Sequence, residues 1–123
     1  MKIALIALAL FAGGLVAASA SAADLYLDLR TNYSPATDFA SVRVELVDRA
    51  DPRQHWTSFA LDTSRHDYVA GARVAELHEV QPRHSYLLVV RILDRQLRTV
   101  DGRVSILDMP DGPFAATVVL TRP

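Results

Sequence analysis

The chain has 123 residues, a formal net charge of −1 at neutral pH and no cysteine. A charge balance this close to neutral argues against nucleic acid or an anionic membrane surface as a partner, because both select for clustered positive charge. The absence of cysteine excludes disulfides, thiol chemistry and cysteine-ligated zinc, so we expect the fold to depend on its hydrophobic core alone.

Residues 1–22 have the pattern of a secretory signal peptide. Lys2 provides a positive charge, residues 3–16 contain no charged residue, and a run of small residues follows as far as Ala23. The apolar stretch of about 14 residues is shorter than the roughly 20 that span a bilayer as a helix. We therefore expect cleavage after Ala22 or Ala23, a periplasmic or secreted location, and no stable membrane insertion of the mature protein.

The mature domain, residues 23–123, shows hydrophobic residues at a period of two. Leu25, Leu27 and Leu29 alternate with polar or charged residues, as in a strand with one buried face. Turn residues separate further segments of this kind, and residues 68–70 add a possible eighth strand. Seven strands are predicted at 25–30, 41–47, 55–61, 72–78, 86–93, 104–107 and 114–121. The pattern predicts an all-β fold, a single antiparallel immunoglobulin-like sandwich of seven or eight strands, with a barrel as the second interpretation.

Two local patterns refine this prediction. Residues 87–90 are all apolar, which is typical of a central strand that is buried on both faces. Residues 94–96 and the Asp-Gly pair at Asp101 and Gly102 are both turn signals, and Asp-Gly is a favoured two-residue hairpin loop.

A corner motif lies before the most apolar strand, where Val80, Pro82 and Tyr86 follow one another at spacings of two and four residues. This motif resembles the crossover between sheets in fibronectin type III-like and other immunoglobulin-like sandwiches. The resemblance implies that the Tyr86 ring packs in the core while its hydroxyl bonds to backbone in the crossover. His84 departs from the family, which usually has a small hydroxyl residue at that place.

Trp56, on the third predicted strand, is expected to be a structural core anchor like the tryptophan of immunoglobulin-like domains.

A second resemblance involves residues 30–35 and the strand pattern at 42–46. These segments resemble domains of exported bacterial surface proteins and lipoproteins, which are themselves similar to carboxypeptidase-regulatory and transthyretin-like modules. The resemblance implies an accessory module of the bacterial envelope.

Glu76 and His78 are the candidate metal ligands of the chain. They lie two residues apart on one predicted strand, so their side chains share a face and could jointly bind a cation. An exposed polar strand face is the other interpretation. Because no zinc-site spacing, phosphate-binding loop or dinucleotide fingerprint is present, we predict no metal and no cofactor.

Serine, histidine and aspartate occur without the nucleophile elbow that a hydrolase would need, so no catalytic residue is predicted and we do not expect an enzyme. The expected function is that of a non-catalytic exported module that binds an unidentified envelope or secreted protein, with strand addition at a sheet edge as one physical route. The alternative is a periplasmic protein that binds a small ligand or a metal.

Overall fold

The computed structural model describes residues 22–61 and 66–123. Residues 1–21, on which the predicted export signal depends, lie outside the described residues. Within the described ranges, no helix is long and apolar enough to cross a membrane. The described strands are β1 (Ala23–Thr31), β2 (Ser41–Asp48), β3 (His55–Ala60), β4 (Ala72–Val80), β5 (Ser85–Leu93), β6 (Thr99–Asp108) and β7 (Phe114–Leu120).

The seven strands form two sheets that pack face to face. One sheet has three strands in the order β4-β1-β7, and the other has four in the order β3-β2-β5-β6. Every neighbouring pair is antiparallel except β1 and β7, which run parallel. The predicted fold class, an all-β sandwich, is confirmed, and the parallel closing pair is a feature that the sequence pattern did not indicate.

The core lies between the two sheets and follows the period-two pattern. Leu25, Leu27 and Leu29 of β1 are fully buried and face Val42 and Val44 of β2, which are also fully buried. Burial of each such side chain contributes about 1.5–3 kcal/mol to stability, so a fold without disulfides can be held by its core. Alternation along the strands thus places one face of each sheet inside and leaves the other face outside.

The predicted short strand at residues 68–70 is wrong, because this segment forms a turn. The Asp67 carboxylate accepts the backbone N–H groups of the two residues that follow Tyr68, at 3.1 and 3.3 Å, and the Gly71 N–H bonds to the Asp67 carbonyl. These amides are therefore engaged locally. The Tyr68 ring is nevertheless buried, in edge-to-face contact with Phe39 at 5.3 Å.

The predicted hairpin loop at Asp101 and Gly102 is also wrong, because both residues lie inside β6. The chain reverses a few residues earlier, between Asp94 and Arg98. There the Asp94 backbone N–H donates to the Arg98 carbonyl and the Asp94 carboxylate accepts from the Arg98 backbone N–H, at 2.9 Å each. Gly102 has a different role. A Cβ at this position would lie 3.1 Å from the Val90 carbonyl oxygen, so glycine permits the close approach of β6 to β5.

Candidate functional site

The candidate metal ligands Glu76 and His78 lie on the outer face of the three-stranded sheet. Each of them lies close to a side chain of opposite charge. His78 Nδ1 is 2.9 Å from a carboxylate oxygen of Asp24, and Glu76 lies 3.9 Å from the guanidinium of Arg73. Among residues 22–61 and 66–123, no group of three or more histidine and carboxylate side chains is arranged to hold a metal ion.

These residues belong to a set of paired charges that we call the charge ladder: Asp24, Tyr26, Asp28, Arg73, Glu76 and His78. Arg73 donates to Asp28 at 2.6 Å and lies over the Tyr26 ring at 4.8 Å. The hydrogen bond to Asp24 raises the pKa of His78, and the same bond lowers the pKa of Asp24. The ladder is a solvated face on which opposite charges lie next to each other.

The corner residues Val80, Pro82 and Tyr86 join the two sheets. The Tyr86 ring is fully buried, and its hydroxyl donates to the Gln81 carbonyl at 3.0 Å. Val80 and Pro82 are buried beside it. The crossover between β4 and β5 is therefore anchored from inside the core, with the geometry that the resemblance implies for a corner tyrosine.

Trp56 lies on the edge strand β3 and is half-buried. Its indole N–H donates to the His78 carbonyl on β4 at 2.9 Å, and its ring contacts Tyr86 edge-to-face at 5.8 Å. The side chain therefore connects the open edges of the two sheets, rather than lying in the centre of the core.

A cleft that the sequence interpretation missed opens where the β2–β3 turn meets the corner before β5. Arg49, Ala50, Arg83, His84 and Ser85 line it. The one available signal was His84, the histidine that replaces a small hydroxyl residue in the corner motif.

The outer face of the four-stranded sheet carries a group of neighbouring apolar side chains that we call the apolar face: Val47, Leu87, Val89, Val104 and Ile106. Cross-strand pairing places Val47 beside Leu87, Leu87 beside Ile106, and Val89 beside Val104. The exposed fractions are 37% for Leu87, 61% for Val104 and 58% for Ile106. The prediction that residues 87–90 are buried on both sides is therefore wrong for Leu87, but it is confirmed for Val89, which is 9% exposed on the same face.

The apolar face ends at β6, which pairs only with β5 and so forms one edge of the four-stranded sheet. The first half of β6 is tied into the domain, since Asp101 accepts a hydrogen bond from Tyr33 at 2.8 Å and Arg103 reaches the Val119 carbonyl at 3.4 Å. Inward-pointing charges of this kind usually protect sheet edges from pairing. They are confined to the first half, and the half that holds Val104 and Ile106 has no charge before its last residue, Asp108.

Comparison with known proteins gives no relative for this arrangement: no protein-family model, curated protein or solved structure matches the chain.

Proposed function

We propose that the protein is an exported, non-catalytic binding module whose apolar face and β6 edge accept an extended segment of another envelope or secreted protein. One observation carries this proposal. The apolar side chains of the second half of β6 lie next to an unpaired strand edge, so a single partner strand could cover the side chains and satisfy the backbone together.

The composition of the apolar face favours contact with a partner protein over contact with water. A sheet face in contact with water usually carries polar residues at its outward positions, as the charge ladder does on the opposite side of the molecule. Val104 and Ile106 are more than half exposed instead. Full burial of either side chain would contribute about 1.5–3 kcal/mol to association before the cost of ordering the partner.

The charges beside the apolar face indicate the chemistry of the partner segment. Glu45 lies 2.8 Å from Arg43 and 3.7 Å from Arg91, so one carboxylate is shared between two guanidinium groups. This row lies next to Val89 on the same outer face and has an excess of one positive charge. A segment with alternating apolar residues and an acidic residue at the end near Arg91 would complement both features.

The connectivity of the sandwich supports an immunoglobulin-like identity. In that fold the second and fifth strands share one sheet while the third, sixth and seventh share the other. β1 and β4 match the former pair, and β2, β5 and β6 match the latter group, with β3 as an added edge strand. Under this match Tyr86 begins the strand that carries the corner tyrosine. The departure is β7, which occupies the place of the first immunoglobulin strand but runs parallel to its neighbour.

Export is supported by the leader pattern of residues 1–22. Mass spectrometry of the protein recovered from periplasm or medium should find an N-terminus near Ala23 or Asp24. Recovery of only the full-length chain would contradict export.

Site-specific photocrosslinking in cells that export the protein tests the binding proposal. A photoreactive amino acid at Ile106 should give a discrete adduct with one other protein, whereas the same group at Thr117, an exposed position on β7, should not. Adding Val104→Lys should abolish the Ile106 adduct, because a charge on the edge opposes strand addition. Adding Val119→Lys, the matched change of an exposed valine on the other sheet, should leave it intact.

Three outcomes would overturn the proposal. One is an adduct of equal yield at Thr117. Another is an adduct at Ile106 that survives Val104→Lys. The third is an adduct that contains only a second copy of this chain, since the edge would then serve self-association and not a different protein.

A further inference from the structure

The cleft between the β2–β3 turn and the β4–β5 corner has a volume of about 380 Å³, and the residues that line it include two arginines, Arg49 and Arg83. It lies at the end of the sandwich and includes no residue of the apolar face. The groups that the cleft can bind depend on the hydrogen bonds and ion pairs that each lining side chain makes.

Asp48 positions His84 at the cleft. The Asp48 side chain is 3% exposed, and its two oxygens accept hydrogen bonds from His84 Nδ1 at 2.7 Å and from the Ala50 backbone at 2.9 Å. Burial alone would raise the pKa of Asp48, but these hydrogen bonds outweigh it and hold the pKa below its usual value. Because a carboxylate can only accept, His84 Nδ1 carries a proton and donates to Asp48, and Nε2 can donate to a ligand when it too carries a proton.

Arg49 places a guanidinium group at the same cleft. Its backbone N–H donates to the Ser85 carbonyl at 3.0 Å, and its guanidinium donates to the Ser85 hydroxyl at 3.2 Å. Within residues 22–61 and 66–123, no carboxylate lies at ion-pair distance from Arg49. The guanidinium is therefore held near the cleft by a neutral group, and no carboxylate of the described residues compensates its positive charge.

Arg83 adds a second guanidinium at the rim. Its backbone has a φ of 62°, in the left-handed region, and its N–H bonds to the Met109 carbonyl at 2.7 Å, which fixes the turn. The side chain is paired with Asp111 at 3.0 Å. The carboxylates of Asp48 and Asp111 are thus both engaged, Asp48 by His84 and Asp111 by Arg83.

From this arrangement we propose that the cleft binds an oxyanion, a carboxylate or phosphate group of a ligand, with Arg49 as the principal cation. The planar guanidinium can donate two parallel hydrogen bonds to such a group, and the Ser85 hydroxyl and the His84 ring lie beside it. The cleft is a binding site without a nucleophile, since Ser85 is bonded by Arg49 and not by His84. The inference is independent of the β6 proposal, and either can fail alone.

Titration of the ¹⁵N-labelled protein by NMR tests this site. Sodium phosphate and sodium acetate are added separately, with total ionic strength held constant by sodium chloride. We expect saturable shifts confined to the amides of residues 49–50 and 83–85. The stronger of the two anions then distinguishes a phosphate ligand from a carboxylate ligand.

Two variants test the residues of the site, and a third variant is the matched control. Arg49→Gln should weaken the binding about tenfold, because it removes the bidentate donor. His84→Gln should also weaken it. Arg53→Gln removes the same charge from the same turn, where the side chain is 89% exposed and paired with Asp51, and should change the affinity by less than about twofold.

Shifts that rise linearly without saturation, or an equal affinity in the parent and in Arg49→Gln, would overturn the proposal. Because His84→Gln removes the partner of a buried carboxylate and could unfold the domain, Arg49→Gln is the deciding variant. Its urea midpoint, compared with that of the parent, establishes that it is folded.

Discussion

The outer faces of the two sheets differ although both are exposed parts of the same sandwich. On the three-stranded sheet the charge ladder pairs opposite charges across β1 and β4, as in the 2.6 Å contact of Arg73 with Asp28. On the four-stranded sheet the outward positions at the β6 edge hold Leu87, Val104 and Ile106, and the charged residues of that face lie further from the edge and toward Arg91. The outer face of a sheet that is in contact with water usually carries polar side chains. The comparison therefore separates a face suited to solvent from a face suited to a partner.

The largest expected effect contrasts the two sides of β5. Tyr86 points into the core and Leu87, the next residue, points to the apolar face. Tyr86→Ala opens a cavity and should lower the free energy of unfolding by about 3–5 kcal/mol. Leu87→Ala should cost less than about 1 kcal/mol, because its side chain is partly exposed already. Urea unfolding of both variants measures the difference, and equal costs would mean that the apolar face serves stability.

A smaller effect isolates the hydroxyl of the corner. Tyr86→Phe keeps the ring packing and removes the bond to the Gln81 carbonyl, so the free energy of unfolding should fall by about 0.5–1.5 kcal/mol. Chemical denaturation again provides the measurement. A midpoint equal to that of the parent would show that only the ring anchors the crossover.

On the charge ladder the expected effect depends on pH. The pKa of His78 is raised from 6.5, so its contribution to stability is present below about pH 6.5 and is lost as pH rises through the folded pKa. The pKa of Asp24 is lowered from 3.8, so its contribution is present above that value and is lost as pH falls through the folded pKa.

The thermal midpoint of His78→Gln should therefore fall furthest below that of the parent between about pH 4 and pH 6.5. Above the folded pKa of His78 the two midpoints should converge. A difference that does not vary with pH would mean that the ion pair does not contribute to stability.

The smallest effect on stability is expected on the apolar face itself. Val104→Lys should change the free energy of unfolding by less than about 0.5 kcal/mol, since the side chain is 61% exposed and has little packing to lose. A loss of more than about 1 kcal/mol would contradict the view that this face has no role in holding the fold.

The sequence predicted the class of fold because burial alternates along single strands, as Leu25, Leu27 and Leu29 show directly. Of the two turn signals after β5, the one at residues 94–96 marks the reversal of the chain and the one at Asp101 and Gly102 does not, since the pair that favours a tight turn also suits the close approach of two strands. The Val80–Tyr86 spacing indicated the corner, whose hydrogen bond is local. The pairing of Asp48 with His84 joins residues 36 positions apart, and such contacts depend on sheet register that a single sequence does not reveal.

Likewise, the apolar run that includes Leu87 was interpreted as burial on both faces. A sequence pattern shows that one face of a strand is apolar. It does not show whether the residues that bury this face belong to the same chain or to another protein. The described residues leave Leu87, Val104 and Ile106 exposed, which is why the face becomes evidence for a partner only once the sheet order is known.

The most direct test of the partner-binding face is the affinity of the protein that crosslinks at Ile106. Its binding to the parent, to Val104→Lys and to Val119→Lys can be measured with purified components by isothermal titration calorimetry. We predict that Val104→Lys weakens the binding by at least about tenfold, while Val119→Lys leaves it within about twofold of the parent. Equal affinities for all three proteins, or a loss confined to Val119→Lys, would contradict the assignment of the partner to the four-stranded sheet.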